Sequence, residues 1–279
     1  MISVENKDYK IRVFNDIGSL KERKDYDLKK IDNSIYLKIE KNKYSDDEVQ
    51  EKQFFNDSEK IIKEFQNTNS IIFDFRNNLG GTSKYLNHFL QALIYDEKTN
   101  EKDFEFTRWY NSLYAGEKRI NTRMMINKAT GRAPSEYINY YLENLDKKYL
   151  IKEEYEEVVI NPWYKGKIYI LINPLTTSAP EKFILVLKKV FGQNVIIIGQ
   201  NSLGALEFTD TYDYLLPNSK IELRLSAVDY RNTLLLNTEK CWHGDTFGIF
   251  PDYWCIPQDI VTTLSYLTGN KNLEKYIKL

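Results

Sequence analysis

Apolar and polar residues alternate with period two in "SIYLKIE" (Ser34–Glu40), the pattern of a half-buried strand. In "FFNDSEKIIKEFQ" (Phe54–Gln66) the period changes: Phe54, Ile61, Ile62 and Phe65 recur at helical spacing. "SIIFDFR" (Ser70–Arg76) is a short β-rich run and predicts a buried strand. A turn, "NNLGGTS", and a helix, "KYLNHFLQALIY", follow it. Two further core strands are predicted in "KIYILIN" (Lys167–Asn173) and "NVIIIGQ" (Asn194–Gln200), separated by the amphipathic "APEKFILVLKKVF". "KIELRLSAVDY" reads as another strand, and "PQDIVTTLSYLTG" as a closing helix that ends at Gly269. Strands alternating with helices imply an α/β fold with substantially parallel pairing.

Asp96 to Trp163 breaks this rhythm. The segment is charged and mixed, with one predicted helix in "SEYINYYLENLDKKYL". It reads as an insertion between core elements. The organisation expected is an N-terminal segment over 1–33, then a core over 34–279 carrying the insertion 96–163. Because the insertion separates the two strands that lead into the most polar turns, it is expected to form a lid or wall beside them.

Composition narrows the function. The chain has 279 residues, 42% of them hydrophobic, enough for one large α/β domain or two small ones. Its 39 basic and 40 acidic residues nearly cancel, so no broad attraction to nucleic acid or anionic lipid follows. No apolar run approaches the ~18 residues of a membrane span. "MISVENKDYKIRVFND" lacks the basic-then-apolar pattern of a leader peptide. As written the chain reads as cytoplasmic; as the trimmed core of a longer protein it could act outside the cytoplasm. Cys241 and Cys255 show no ligand spacing, and His88 and His243 lie far apart, so no metal site is expected. No organic cofactor motif occurs, and the sequence gives no oligomeric state.

Three stretches could carry chemistry. In "FDFRNNLGGTS" the strand ends in Arg76, Asn77 and Asn78 and turns through Gly80 and Gly81. Glycine permits positive φ and close approach, and the exposed N–H groups of such a turn can hold an oxyanion. A plain tight turn explains the same residues. In "NPLTTSAPEKF", Ser178 and Glu181 form the S-x-x-E of a capping box, with Pro180 in the first helical turn. A serine at a strand-to-helix turn also suits a nucleophile, because the helix N-terminus favours negative charge and Ala179 offers its N–H. In "CWHGDTFGIFPDYW", His243 and Asp245 could accept or orient protons, or simply belong to a glycine-rich turn.

Taken in order, "IIFDFRNNLGG", "KIYILINPLTTSAPE", "VIIIGQNSLGALEF", "YLLPNSKIEL" and "GIFPD" resemble the core of the C-terminal processing peptidase and tricorn-core family of serine peptidases. The resemblance runs from about Ile35 to Ile260 and is closest to the branch without a Ser–Lys dyad. It implies a ClpP/crotonase-like spiral of ββα units. It implies Ser178 as nucleophile, Gly80 or Gly81 together with Ala179 as the oxyanion hole, and Asp245 as the active-site acid. Arg76, Asn78 and Glu181 would support them. The substrate would be a peptide or unfolded protein, cleaved through an acyl-enzyme. The dyad lysine has no counterpart, since Ala205 stands in its place, and residues 1 to 69 contain no histidine. His243, two residues before Asp245, is the expected base, because residues i and i+2 of an extended segment share a side. His88 is the second choice. A catalytically silent homologue that binds peptides, or the core of a longer enzyme lacking its histidine-bearing N-terminal region, is the alternative.

Overall fold

The structure is a computed structural model that describes residues 2–4, 7–9, 25–41, 48–94, 107–112, 149–154, 162–229 and 240–277. A six-stranded sheet forms its centre. The strands are β3 (Tyr26–Ile31), β4 (Ser34–Ile39), β5 (Ser70–Asp74), β8 (Lys167–Ile172), β9 (Val195–Gly199) and β12 (Tyr253–Trp254). Their order across the sheet is β12-β9-β8-β5-β4-β3. Every pairing is parallel except the β3–β4 hairpin. Parallel strands run their carboxyl ends to one edge, and that edge carries the loops described below.

Side-chain alternation assigns each strand two faces. Ile35, Leu37, Ile71, Phe73, Ile168, Ile170, Val195 and Ile197 point to one core. Helices α1 (Glu48–Ile62), α2 (Lys84–Ile94) and α3 (Ala179–Phe191) cover it with Phe54, Phe89, Phe183 and Ile184. Tyr36, Ile72, Tyr169, Leu171 and Ile198 point the other way. Helix α4 (Ile260–Thr268) and the short α5 (Leu273–Tyr276) cover them through Ile260, Leu264 and Leu273. Helix α4 stops at Gly269, in the left-handed conformation that the sequence predicts. The result is a mixed α/β fold with a mostly parallel sheet, and β3–β4–α1 is a ββα unit.

Several features differ from the sequence reading. The sheet extends N-terminal to residue 34, because β3 pairs along its whole length with β4. Charged Asp27, Lys29 and Lys30 conceal this strand from a hydrophobic pattern, as suits a sheet edge. "KIELRLSAVDY" contributes β11 (Glu222–Asp229), which pairs antiparallel with β10 (Phe208–Leu215) outside the central sheet. Within the insertion, β6 (Thr107–Ser112) pairs antiparallel with β7 (Tyr149–Glu154), and β6 lies against β11. The predicted helix "SEYINYYLENLDKKYL" falls outside the described residues except for Tyr149 and Leu150, which open β7. A further hairpin joins β1 (Ile2–Val4) to β2 (Lys7–Tyr9). Among the described residues no helix is long and apolar enough to cross a membrane.

Candidate active site

Three loops leave the carboxyl edge of the adjacent strands β5, β8 and β9, the position where open parallel sheets hold ligands. The β5 loop begins with a buried network. Arg76 donates through Nε and Nη2 to the two oxygens of Asp74, at 2.8 and 2.6 Å, and Tyr36 donates to Asp74 Oδ2 at 2.7 Å. Asp74 and Asn78 are fully buried, and Arg76 nearly so. Arg76 therefore anchors the strand end. Asn78 then stitches the loop to its neighbours. Its Nδ2 donates to Ile39 O, its Oδ1 accepts from Gly80 N–H at 2.9 Å, and its carbonyl accepts from Thr177 N–H.

The β8 loop is locked onto the β5 loop. Asn173 Oδ1 accepts from the N–H groups of Asn77 and Leu175, while its Nδ2 donates to Asn77 Oδ1. Thr176 Oγ1 donates to Phe75 O and accepts from Asn173 N–H. The loop ends at Ser178, whose backbone has φ 65° and ψ −110°. A non-glycine residue held there is strained, by about 1–3 kcal/mol. Its N–H donates to Glu181 Oε2 at 2.6 Å, the Glu181 half of the predicted capping box. The side chain lies against the glycine turn: a Cβ built on Gly80 (φ 89°) would fall 2.9 Å from Ser178 Cβ and 3.5 Å from its Oγ. The structure thus places Ser178 against Gly80, with Ala179 next in the chain at the start of α3. It commits Gly80 N–H to Asn78, however, while Gly81 takes part in a β-bridge and Ala179 N–H has no acceptor among the described residues.

Glu181 does more than cap. Fully buried, it also accepts from Ser202 Oγ at 2.5 Å, Gly204 N–H at 2.8 Å and Ala205 N–H at 3.1 Å. Burial raises its pKa above the ordinary carboxyl value, against the pull of the Ser202 hydroxyl and the three amides. It fastens the β9 loop to the serine. Ala205, in the place of a dyad lysine, supplies only its N–H.

The histidine and acid of "CWHGDTF" are arranged otherwise than expected. The segment is not extended. Trp242 and Ile249 bridge a tight hairpin, and the chain turns between them, with Phe247 and Gly248 N–H both donating to Gly244 O. The i, i+2 argument therefore does not apply. His243 is exposed, and its ring packs on Phe250 at 3.8 Å between centroids. Asp245 accepts from the N–H groups of Leu206, Glu207 and Phe208, at 2.7, 2.8 and 3.2 Å. It fixes the start of β10, and no hydrogen bond joins it to His243. His88 faces α1, edge-on to Phe55 and 3.5 Å from Glu59 Oε1. Neither imidazole bonds to Ser178.

Sequence reasoning passed over Asn173, Thr176 and Ser202, and read Asp252 only as a turn former. Asp252 accepts from Ile197 N–H and Lys188 Nζ, tying the "FPD" turn to β9 and α3. Ser202 accepts from Ile249 N–H as it donates to Glu181. These contacts join positions tens of residues apart, and no local pattern announces them.

The class to which this fold and site belong is that of the peptidases. The chain belongs to Peptidase family S41, whose model matches residues 34–253. No curated protein matches it. Among solved structures, mature CPAF complexed with lactacystin is similar at 16% identity and a TM-score of 0.47, over 87% of this chain and 50% of that one. A lipoprotein from Streptococcus agalactiae is similar at 14% identity and a TM-score of 0.45, over 91% and 71%. The photosystem II D1 C-terminal processing protease is similar at 15% identity and a TM-score of 0.37, over 83% and 45%. The chain spans 45 to 71% of the length of these three proteins.

Proposed function

We propose that the chain is a serine-type peptidase that hydrolyses peptide bonds through an acyl-enzyme on Ser178. The observation that carries this reading is the strained backbone of Ser178, held at a helix N-terminus against the Gly80–Gly81 turn. Strain of this kind persists only where surrounding contacts over-determine it, and it concentrates at functional sites. Here Glu181, Asn78 and Thr176 supply those contacts.

In the proposed reaction Ser178 Oγ attacks the scissile carbonyl carbon and gives up its proton to a base. The oxyanion that forms accepts from Ala179 N–H, beside the Gly80–Gly81 turn. The C–N bond then breaks, the proton passes to the leaving amine, and water hydrolyses the ester to return Ser178. His243 is the first choice of base within this chain, with His88 the second. A second reading has its own support. With Asp245 held by three amides and no imidazole bonded to Ser178, the chain would be a silent homologue that binds peptides in the same cleft. The third form of the proposal has the histidine come from a region N-terminal to this core.

Fluorophosphonate labelling with peptide mapping decides among them. Labelling of Ser178 in the wild type, absent in Ser178→Ala, supports the peptidase. Loss of labelling in a folded His243→Ala assigns the base. If it persists there and disappears in His88→Ala, the base is His88. A wild type that never labels leaves the binder and the form whose histidine lies N-terminal to this core, and labelling gained on a longer upstream chain separates those two.

A further inference from the structure

Leucine is among the residues a folding chain most often buries, yet the three loops around Ser178 each hold one in solvent. Leu79, just before Gly80, is 68% exposed; Leu175, three residues before Ser178, is 49% exposed; Leu203, in the β9 loop, is 47% exposed. None hangs on a slack segment. Leu175 N–H is held by Asn173 Oδ1, and Leu203 N–H by Thr176 O. Leu79 lies between Asn78 and Gly80, which are bonded to each other. The same loops are almost free of charge in a chain that is 28% charged. "FRNNLGGTS", "NPLTTS" and "QNSLGAL" contain only Arg76, and its guanidinium is buried on Asp74. Apolar side chains kept in solvent on three adjoining loops supply the kind of contact surface that a binding site uses.

From these observations we infer that Leu79, Leu175 and Leu203 are specificity-determining residues. They form a neutral apolar rim that takes aliphatic or aromatic side chains of an extended peptide next to its scissile bond, and turns away charged ones. This inference rests on the reading of the Ser178 cleft as a peptide site. The rim offers apolar contact in fixed positions, so little ordering opposes binding. A charged side chain would lose its hydration there without gaining a partner.

The test is binding by the uncleaving Ser178→Ala protein, read by fluorescence anisotropy. Three labelled octapeptides differ only at two central positions: Leu-Leu, Asp-Asp or Lys-Lys. The leucine peptide binds about tenfold or more tighter than either charged one, the discrimination expected of an apolar pocket. In Ser178→Ala/Leu175→Asp/Leu203→Asp that advantage falls about tenfold, and the lysine peptide gains. Equal affinities, or a leucine preference that survives both substitutions, overturns the inference. Because these substitutions are at exposed positions, circular dichroism matching the parent confirms that the fold is retained. Fluorophosphonate labelling of the wild type reports separately on the nucleophile. Labelling without leucine preference removes the rim and leaves the peptidase; leucine preference without labelling removes catalysis and leaves the rim.

Discussion

At the scale of single residues, Ser178 is where local and functional demands meet. Its φ of 65° is an angle that glycine adopts freely. Ser178→Gly therefore relieves strain that Ser178→Ala retains. Thermal unfolding should find the glycine variant about 1 kcal/mol more stable than the alanine variant, although neither labels. Gly80 makes the opposite case. An added Cβ would sit 2.8 Å from Thr177 O, a backbone atom, at a φ of 89°. Gly80→Ala should cost about 1–3 kcal/mol and abolish Ser178 labelling, because it pushes the two turns apart. Retained labelling would show that the spacing of the turns is not critical. "SAPE" and "NNLGG" were legible in sequence because cap and turn chemistry are local. The clasp of Asn173 on Asn77 was not, since 96 positions separate its partners.

Elements were read best where burial gave them a period. β4, β5, β8 and β9 show two-residue alternation or a continuous apolar run, and all four form the sheet. β12 is two residues long, and β10 lies in "LEFTDTYDYLL", whose polar residues hide it. Between α1 and α2 the sequence shows only an apolar stripe, but the structure places His88 on it. Burial lowers the pKa of His88, and Glu59 opposes this only in part. A base with a lowered pKa is deprotonated more readily in the folded chain than in the unfolded one. Its contribution to stability is complete above about pH 6.5, and is lost as pH falls through that value toward the lowered one. Wild-type stability should drop over that window, and His88→Gln should flatten the drop; urea titrations at several pH values measure both. At the end of β5, Asp74→Ala would leave Arg76 buried without its carboxylate. A loss of about 3–5 kcal/mol is expected by chemical denaturation.

At the scale of the molecule, the two strands described within the insertion, β6 and β7, are hydrogen-bonded to each other. Ser112 and Tyr149 stand opposite each other in the β6–β7 pair. An Asn-Gly turn can therefore replace residues 113–148 without moving either strand. Circular dichroism checks that the shortened protein keeps its fold. If 113–148 covers the cleft, its peptide affinity falls while small-probe labelling is kept; unchanged affinity would show that the segment lies elsewhere. The arrangement of the sheet bears also on how the chain reaches its native state. β5 pairs with β8 in a register that joins Ser70 to Lys167, and the glycine turn and the serine stand at the far ends of those same strands. The two halves of the site cannot meet until this long-range pairing has formed, and pairings so distant in sequence are slow to form. Reactivity at Ser178 would then work as a clock for folding. During refolding from urea it should appear late, after most of the helical signal has returned.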